Sequence, residues 1–176
     1  FILVMNLRAE ILKEHSKAQC NKIVQWVGAD QKRFDELFGL FLHDESRVVQ
    51  RAAWPVSYCV EAQPALIKKH WKAMTGYLDK PNLHDAVKRN SVRMMQYIEI
   101  PEQFHGEVMN RCFAYLESPG ETIAVKVFSM SVLANLARTY PEIKAELILL
   151  IEDQFPHQTA GFKSRAKKVL KQLDKT

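Results

Sequence analysis

The chain has 176 residues, of which 47% are hydrophobic and 26% charged, and its formal net charge is +5. This is the composition of a soluble globular protein and argues against disorder. The opening apolar run, residues 1–5, is far shorter than the roughly 20 residues that cross a bilayer or the roughly 7–15 of a signal-peptide core, so we expect a cytoplasmic protein without membrane contact. Because the chain opens on Phe, residues 1–4 are open to interpretation as a remnant of processing or expression, with Met5 as a native start.

The three cysteines, Cys20, Cys59 and Cys112, lie far apart on apolar helical faces. Their odd number and the lack of a Cys-x-x-Cys pair argue against a disulfide framework and against a zinc site. We expect all three to be small buried hydrophobes.

The first predicted helix is long, because nothing between Asn6 and Val27 breaks a helix. Gly28 predicts its C-terminal cap, and Asp30 predicts the N-terminal cap of the next helix. That next helix carries one apolar stripe at helical spacing, made by Phe34, Leu37, Phe38 and Phe41.

Three further helix pairs and one unpaired helix follow. The predicted pairs are 46–61 with 65–79, 83–98 with 102–117, and 121–139 with 142–155, and the last helix is 159–173. Prolines punctuate the second helices, before them at Pro64, Pro101 and Pro141 and after them at Pro81, Pro119 and Pro156. Pro55 is an exception that lies inside a predicted helix, where we expect a kink. The prediction is nine helices and no strand.

The helix pairs repeat with a fixed period. Val49-Gln50-Arg51-Ala52-Ala53 recurs as Val87-Lys88-Arg89-Asn90-Ser91 and Val125-Lys126-Val127-Phe128-Ser129 at intervals of 38 residues, and Phe162-Lys163-Ser164-Arg165-Ala166 follows after 37. Small residues stay in step at Ala53, Ser91, Ser129 and Ala166. Such a period indicates stacked repeats.

Helix pairs of 37–39 residues, with Val, a basic or polar residue and a small residue entering the first helix and Pro opening the second, resemble HEAT repeats. The resemblance spans about residues 16–173 and implies an all-α, right-handed α-α superhelix of about four helix pairs plus a terminal capping helix. We place the repeats in one domain, 1–176, at approximately 6–43, 46–79, 83–117 and 121–155, with the capping helix at 159–174. The resemblance also implies that second helices line the concave side and that the usual role is scaffolding or partner binding.

Residues that carry chemistry are few. No nucleotide-binding, zinc-protease or serine-hydrolase motif is present, and no two of the six histidines are spaced i, i+3 or i, i+4. The run His43-Asp44-Glu45 falls at a turn between helices, where Asp and Glu favour the start of a helix. We therefore predict no catalytic, cofactor-binding or metal-binding residue and no cofactor.

A partner-binding surface is predicted from the residues of the second helices that lie off the apolar stripes. Its candidates are Lys68, Lys69, Lys72, Glu107, Arg111, Glu142 and Glu146. This surface changes from basic to acidic along the chain, so it suits a protein segment with its own charge gradient better than a uniformly anionic duplex. The leading hypothesis is a non-enzymatic scaffold that binds a protein or peptide there.

The net positive charge lies in the last helix and its tail, and the rest of the chain is neutral. The candidate basic patch is Lys163, Arg165, Lys167, Lys168 and Lys171. Two interpretations stay open: a solvated cap whose cations suit the helix dipole, or a surface for nucleic acid or an acidic partner.

Alkylpurine DNA glycosylases are also built from HEAT-like repeats, so the alternative is a nucleic-acid-binding protein related to them. That resemblance implies a catalytic Asp assisted by Trp and Arg side chains in a basic concave groove. The matching aromatic and cationic types here are Trp54, Trp71, Arg89 and Arg93. The catalytic Asp itself is missing, because the one Asp at the spacing considered, Asp30 four residues after Trp26, looks like a helix cap.

Overall fold

A computed structural model describes residues 5–175, and the interpretation of residues 1–4 lies outside this range. The described residues form ten α-helices, four short 3₁₀ segments and no strand, which confirms the all-α fold class. The α-helices are α1 (Leu7–Lys13), α2 (Lys17–Val27), α3 (Gln31–His43), α4 (Ser46–Ala62), α5 (Trp71–Leu78), α6 (Asp85–Met95), α7 (His105–Glu117), α8 (Ile123–Leu136), α9 (Lys144–Gln154) and α10 (Ala160–Leu173). The 3₁₀ segments are Pro64–His70, Glu102–Phe104, Pro141–Ile143 and Phe155–His157. None of these helices combines the length and the apolar character that crossing a bilayer requires.

The prediction of a single long helix from Asn6 to Val27 is wrong, because the helix is interrupted between α1 and α2. Glu14 has extended backbone angles, and the hydroxyl of Ser16 accepts a hydrogen bond from the backbone N–H of Gln19 at 3.0 Å, which caps α2. The buried Gln19 amide then donates to the carbonyl oxygen of Glu10 at 2.7 Å and ties α2 back to α1. The cap at Ser16 therefore separates α1 from α2 without a Gly or Pro, and the described residues form ten α-helices where nine helices were predicted.

The turn between α2 and α3 confirms both predicted caps. Gly28 adopts a φ of +52°, a region that favours glycine, and its N–H donates to the carbonyl oxygen of Val24 at 2.9 Å. The Asp30 carboxylate accepts a hydrogen bond from the N–H of Arg33 at 3.1 Å.

The prolines mark the second helices as predicted. Pro64 and Pro141 open 3₁₀ segments that run on into α5 and α9, and Pro101 precedes the segment that leads into α7. A missing N–H costs little at such a position, because the first N–H groups of a helix have no partner within it. Pro55 lies buried inside α4, and α4 continues past it to Ala62, so the kink stays a prediction.

The chain divides into two compact units between Ile98 and Glu99. In the first unit, α4 packs against α1, α2, α3 and α6 and is the central helix. The predicted stripe of α3 is confirmed, because Phe34, Leu37, Phe38 and Phe41 are all buried. The ring centroid of Phe38 also lies 4.4 Å from that of His70, so the 3₁₀ segment packs on the same core.

In the second unit, α8 packs against α7, α9 and α10. The apolar side of α10 is fully buried and consists of Phe162, Ala166, Val169 and Leu173. The predicted capping helix therefore completes the core of this unit. All four members of the small-residue series, Ala53, Ser91, Ser129 and Ala166, are buried within their respective units, which agrees with the period of the sequence.

Candidate functional site

The three lysines predicted for partner binding in the first unit are exposed. Lys68 and Lys69 belong to the segment Pro64–His70, and Lys72 lies on α5. Lys69 forms an ion pair with the carboxylate of Asp35 on α3. The side chains of Lys68 and Lys72 make no hydrogen bond or ion pair with any described residue, so both ammonium groups are available to a partner.

Asp35 is the centre of a polar cluster that the sequence did not reveal. Its Oδ1 accepts a hydrogen bond from the Gln31 amide at 2.9 Å and lies 2.7 Å from Nε2 of His70. Partial burial raises the pKa of Asp35, but hydrogen bonds from Lys69, Gln31 and His70 outweigh it and lower the pKa to about 2. The cluster joins α3 to the segment that follows α4. Lys69 and His70 follow Asp35 by about one repeat, and this spacing is the one sequence signal that could have found the cluster.

In the second unit, Glu107 on α7, Glu142 and Glu146 are exposed, and Arg111 is half-buried. Sequence reasoning missed Leu149 on α9, whose side chain is 67% exposed. Helical spacing places Glu146, Glu152 and Asp153 beside Leu149, since residues three and four apart are neighbours on a helix surface. This surface therefore combines an exposed apolar residue with carboxylates.

The predicted basic patch of the last helix divides into two groups. The guanidinium of Arg165 donates to the Ser131 hydroxyl at 2.6 Å, and Nζ of Lys163 donates to the carbonyl oxygen of Pro156 at 3.3 Å, so both side chains hold α10 to its own unit. Lys167, Lys168 and Lys171 are exposed and make no hydrogen bond or ion pair with the described residues. Within the predicted patch, these three lysines are therefore the ones open to a partner.

Lys126, a member of the repeated motif at 125–129, is a buried cation, which the repeat pattern did not predict. Its side chain is 3% exposed, and its Nζ donates to Oε1 of Gln154 at 2.8 Å. Burial lowers the pKa of the Lys126 ammonium, against a raising effect of Glu121. The Gln154 amide donates in turn to the carbonyl oxygen of Leu116 at 2.9 Å. The arrangement satisfies a buried polar group and links α7, α8 and α9.

The residues that suit a glycosylase have structural partners of their own. Trp71 is 2% exposed and belongs to the core of the first unit. Arg93 pairs with Glu61 at 2.7 Å and donates to the Ser57 hydroxyl at 2.9 Å, while its guanidinium lies 4.4 Å from the ring centroid of Tyr58. Asp30, as shown above, is a helix cap. Trp54 is half-buried between His15 and Tyr58.

The three cysteines are free and buried, as predicted. Burial raises the pKa of each thiol, Cys20, Cys59 and Cys112, to about 12. Because the thiolate is the nucleophile, none of them is poised for covalent chemistry. No group of three or more His, Cys, Asp or Glu side chains within residues 5–175 is arranged to hold a metal ion.

The comparison with known families agrees with the helix pairs seen in the structure. The model of the HEAT repeat domain matches residues 7–173, which is nearly the whole chain. No curated protein and no solved structure shows a significant match. The period of the sequence, the paired helices with proline at the second helix and the extent of the family match lead to one conclusion: the chain belongs to the HEAT repeat family.

Proposed function

We propose that this chain is a non-enzymatic HEAT-repeat scaffold that binds a protein or peptide on its second-helix surface, which is the concave side in this family. The second-helix surface has a part in each unit: the exposed side of α3 and of Pro64–His70 with α5 in the first unit, and the exposed side of α7 and of Pro141–Ile143 with α9 in the second. Its contact residues are Lys68, Lys69, Lys72, Glu107, Arg111, Glu142 and Glu146, together with Leu149. Repeat proteins present extended surfaces of this kind without catalytic groups.

Leu149 is the observation that carries this proposal. The helix α9 already buries Leu147 and Ile151 on its core side, so the fold does not need a third apolar residue that is 67% exposed. Covering a leucine side chain stabilises a complex by about 1.5–3 kcal/mol. The carboxylates of Glu146 and Glu152 on either side favour a partner whose apolar residue is flanked by Lys or Arg.

The first unit has the opposite character. Lys68 and Lys72 present unpaired ammonium groups, and the Lys69 ammonium is only partly neutralised by Asp35. Acidic residues of a partner would be attracted there. A simple polyanion would suit these lysines but would be repelled by the carboxylates of the second unit.

The proposal is tested by comparing proteins that co-purify with the parent chain and with Leu149→Ser. Loss of the leucine contact corresponds to a decrease in affinity of about tenfold to a hundredfold. We expect the proteins enriched on the parent chain to be lost from the variant in quantitative mass spectrometry. The matched control is Tyr97→Ser, which removes another large exposed hydrophobic side chain, 53% exposed and outside the second-helix surface.

Two outcomes would contradict the proposal: the same proteins captured by the parent and by Leu149→Ser, or an equal loss with Tyr97→Ser. A base-excision assay on alkylated DNA separates the scaffold from the glycosylase alternative, and we expect no released base. We place the protein in the cytoplasm, where three free cysteines stay reduced.

A further inference from the structure

We propose that a cavity in the first unit, at the first turns of α4 and α6, is a binding site for a phosphate monoester. The site lies apart from the second-helix surface and does not depend on the proposed scaffold function. It has a volume of about 310 Å³, which is in the range of small-ligand pockets and leaves room for more than a bare phosphate ion. Its basic lining residues are Arg47, Arg51, Arg89, His15 and His84.

The lining is cationic without a carboxylate. Three arginines line one cavity, and the remaining lining residues are two histidines, Gln50 and Ala86. Arg47 and Arg51 are spaced i, i+4 on α4, and like charges at that spacing destabilise a helix. Arg51 and Arg89 also have structural partners, but these do not account for three arginines at one cavity, and a bound anion is the simplest physical reason for this concentration of like charge.

The three arginines differ in how firmly they are held. Arg51 donates from Nη1 to the carbonyl oxygen of Leu12 at 2.8 Å, which fixes its guanidinium and leaves other N–H groups to donate. The guanidinium of Arg89 lies 3.6 Å from the carboxylate of Asp85, one turn away on α6, in a half-buried pair. Arg47 makes no hydrogen bond or ion pair with the described residues. A bound anion would therefore meet one fixed and two adaptable guanidinium groups.

His84 adds a donor whose tautomer the structure defines. Its Nδ1 accepts a hydrogen bond from the N–H of Ala86 at 3.1 Å, so the proton of the neutral ring resides on Nε2. The first turns of α4 and α6 lie at the same cavity, and their dipoles add positive potential to that of the side chains.

Phosphate monoesters match this lining better than the other anions of the cell. The planar fork of arginine binds two oxygens of a phosphate at once, and clusters of arginine are the recurring device for recognising phosphorylated side chains. Nucleic acid needs a row of cations along its backbone rather than one cavity. The same chemistry is offered by a phosphorylated side chain and by a free phosphorylated metabolite, and the probes below separate these sources.

The test is a calorimetric titration of the full chain, at physiological ionic strength, with four probes. They are an acetylated and amidated phosphoserine peptide, its unphosphorylated counterpart, inorganic phosphate and a DNA duplex. We expect the phosphopeptide to bind and the unphosphorylated peptide not to bind. Arg47→Gln and Arg89→Gln should each weaken phosphopeptide binding by about tenfold or more, since charge-assisted hydrogen bonds are lost.

The matched control is Lys167→Gln with Lys168→Gln, which removes two cations from the exposed side of α10 in the other unit and should leave the affinity unchanged. Arg47→Lys keeps the charge without the fork and should still weaken binding. Phosphopeptide binding tighter than that of inorganic phosphate supports a phosphorylated partner, and equal binding supports a free phosphate source. The proposal is overturned if no phosphate probe binds, if the α10 control weakens binding equally, or if the duplex binds more tightly than the phosphopeptide in an Arg47-dependent way.

Discussion

Asp35 joins two helical segments of the first unit through three hydrogen-bonding partners, so its ionised state is part of the folded structure. The folded-state pKa of about 2 lies below the ordinary value of 3.8. A carboxylate with a lowered pKa adds stability at pH values above its unfolded pKa, and this stability is lost as the pH falls through the folded pKa.

Asp35→Asn should therefore lower the free energy of unfolding by about 1–2 kcal/mol at pH 7, a range reduced to allow for solvent screening of a partly exposed group. The difference between parent and variant should shrink as the pH falls from about 4 to about 2. Urea denaturation across this range measures it. Glu36→Gln, a neighbouring exposed carboxylate on α3, is the control and should show little change. A pH-independent difference would contradict the role assigned to ionised Asp35.

Ala53 tests the small-residue series within the first unit. The side chain is 1% exposed on the central helix α4, so Ala53→Leu should overpack the core and lower the free energy of unfolding by about 1–3 kcal/mol. Chemical denaturation gives the value. Ala73→Leu, at an exposed position of α5, provides the same change of side chain and should be nearly neutral. Equal stability of the two variants would mean that the core tolerates the added volume.

At the scale of elements, Gly28 and Gly76 should respond to alanine in opposite ways, because Gly28 has a positive φ and Gly76 has a helical one. Gly28 ends α2 with a φ of +52°, so Gly28→Ala should be destabilising by about 1 kcal/mol. Gly76 lies within α5, and a Cβ there would meet nothing within 4 Å, so Gly76→Ala should stabilise by about 0.4–1 kcal/mol. Thermal unfolding followed by circular dichroism measures both. Destabilisation by Gly76→Ala would argue against the exposed helix assigned to that position.

The helical elements were largely predictable from the sequence, because their signals are local. Gly28, Asp30 and the prolines at the second helices ended and began helices where expected. The interruption between α1 and α2 could not be predicted from Gly or Pro, because it depends on the hydroxyl of Ser16 that caps α2, and serine also occurs inside helices. The 3₁₀ openings of the second helices likewise depend on packing, as the ring of His70 against Phe38 illustrates.

At the scale of the whole chain, the division between Ile98 and Glu99 predicts how truncations behave. A chain ended after Ile98 keeps α1 to α6 complete, so it should stay soluble and helical. A chain ended after Phe128 cuts α8 in the middle and leaves the buried surface of α7 without a complete partner. We expect it to aggregate and to show less helix per residue. Solubility and circular dichroism compare the two, and equal behaviour would contradict the division into units.

The candidate sites were less predictable than the fold. The repeat register correctly placed Lys68, Lys72 and Glu146 at exposed positions. It could not show that Lys69 is paired with Asp35, that Leu149 is exposed, or that Arg47 and Arg89 line one cavity. Each of these facts depends on which side chains of successive helices meet, and the spacing of residues within one helix does not contain that information.

The three buried thiols make the native chain a reporter of its own opening. Cys20 and Cys59 lie in the first unit and Cys112 in the second, and thiols with a pKa of about 12 react with an alkylating reagent only when the surrounding helices separate. Brief exposure to iodoacetamide followed by mass spectrometry should therefore find all three unmodified while the denatured chain is modified completely. With longer exposure, the ratio of the alkylation rates at Cys112 and Cys59 compares how often the second and the first unit open, without any added label.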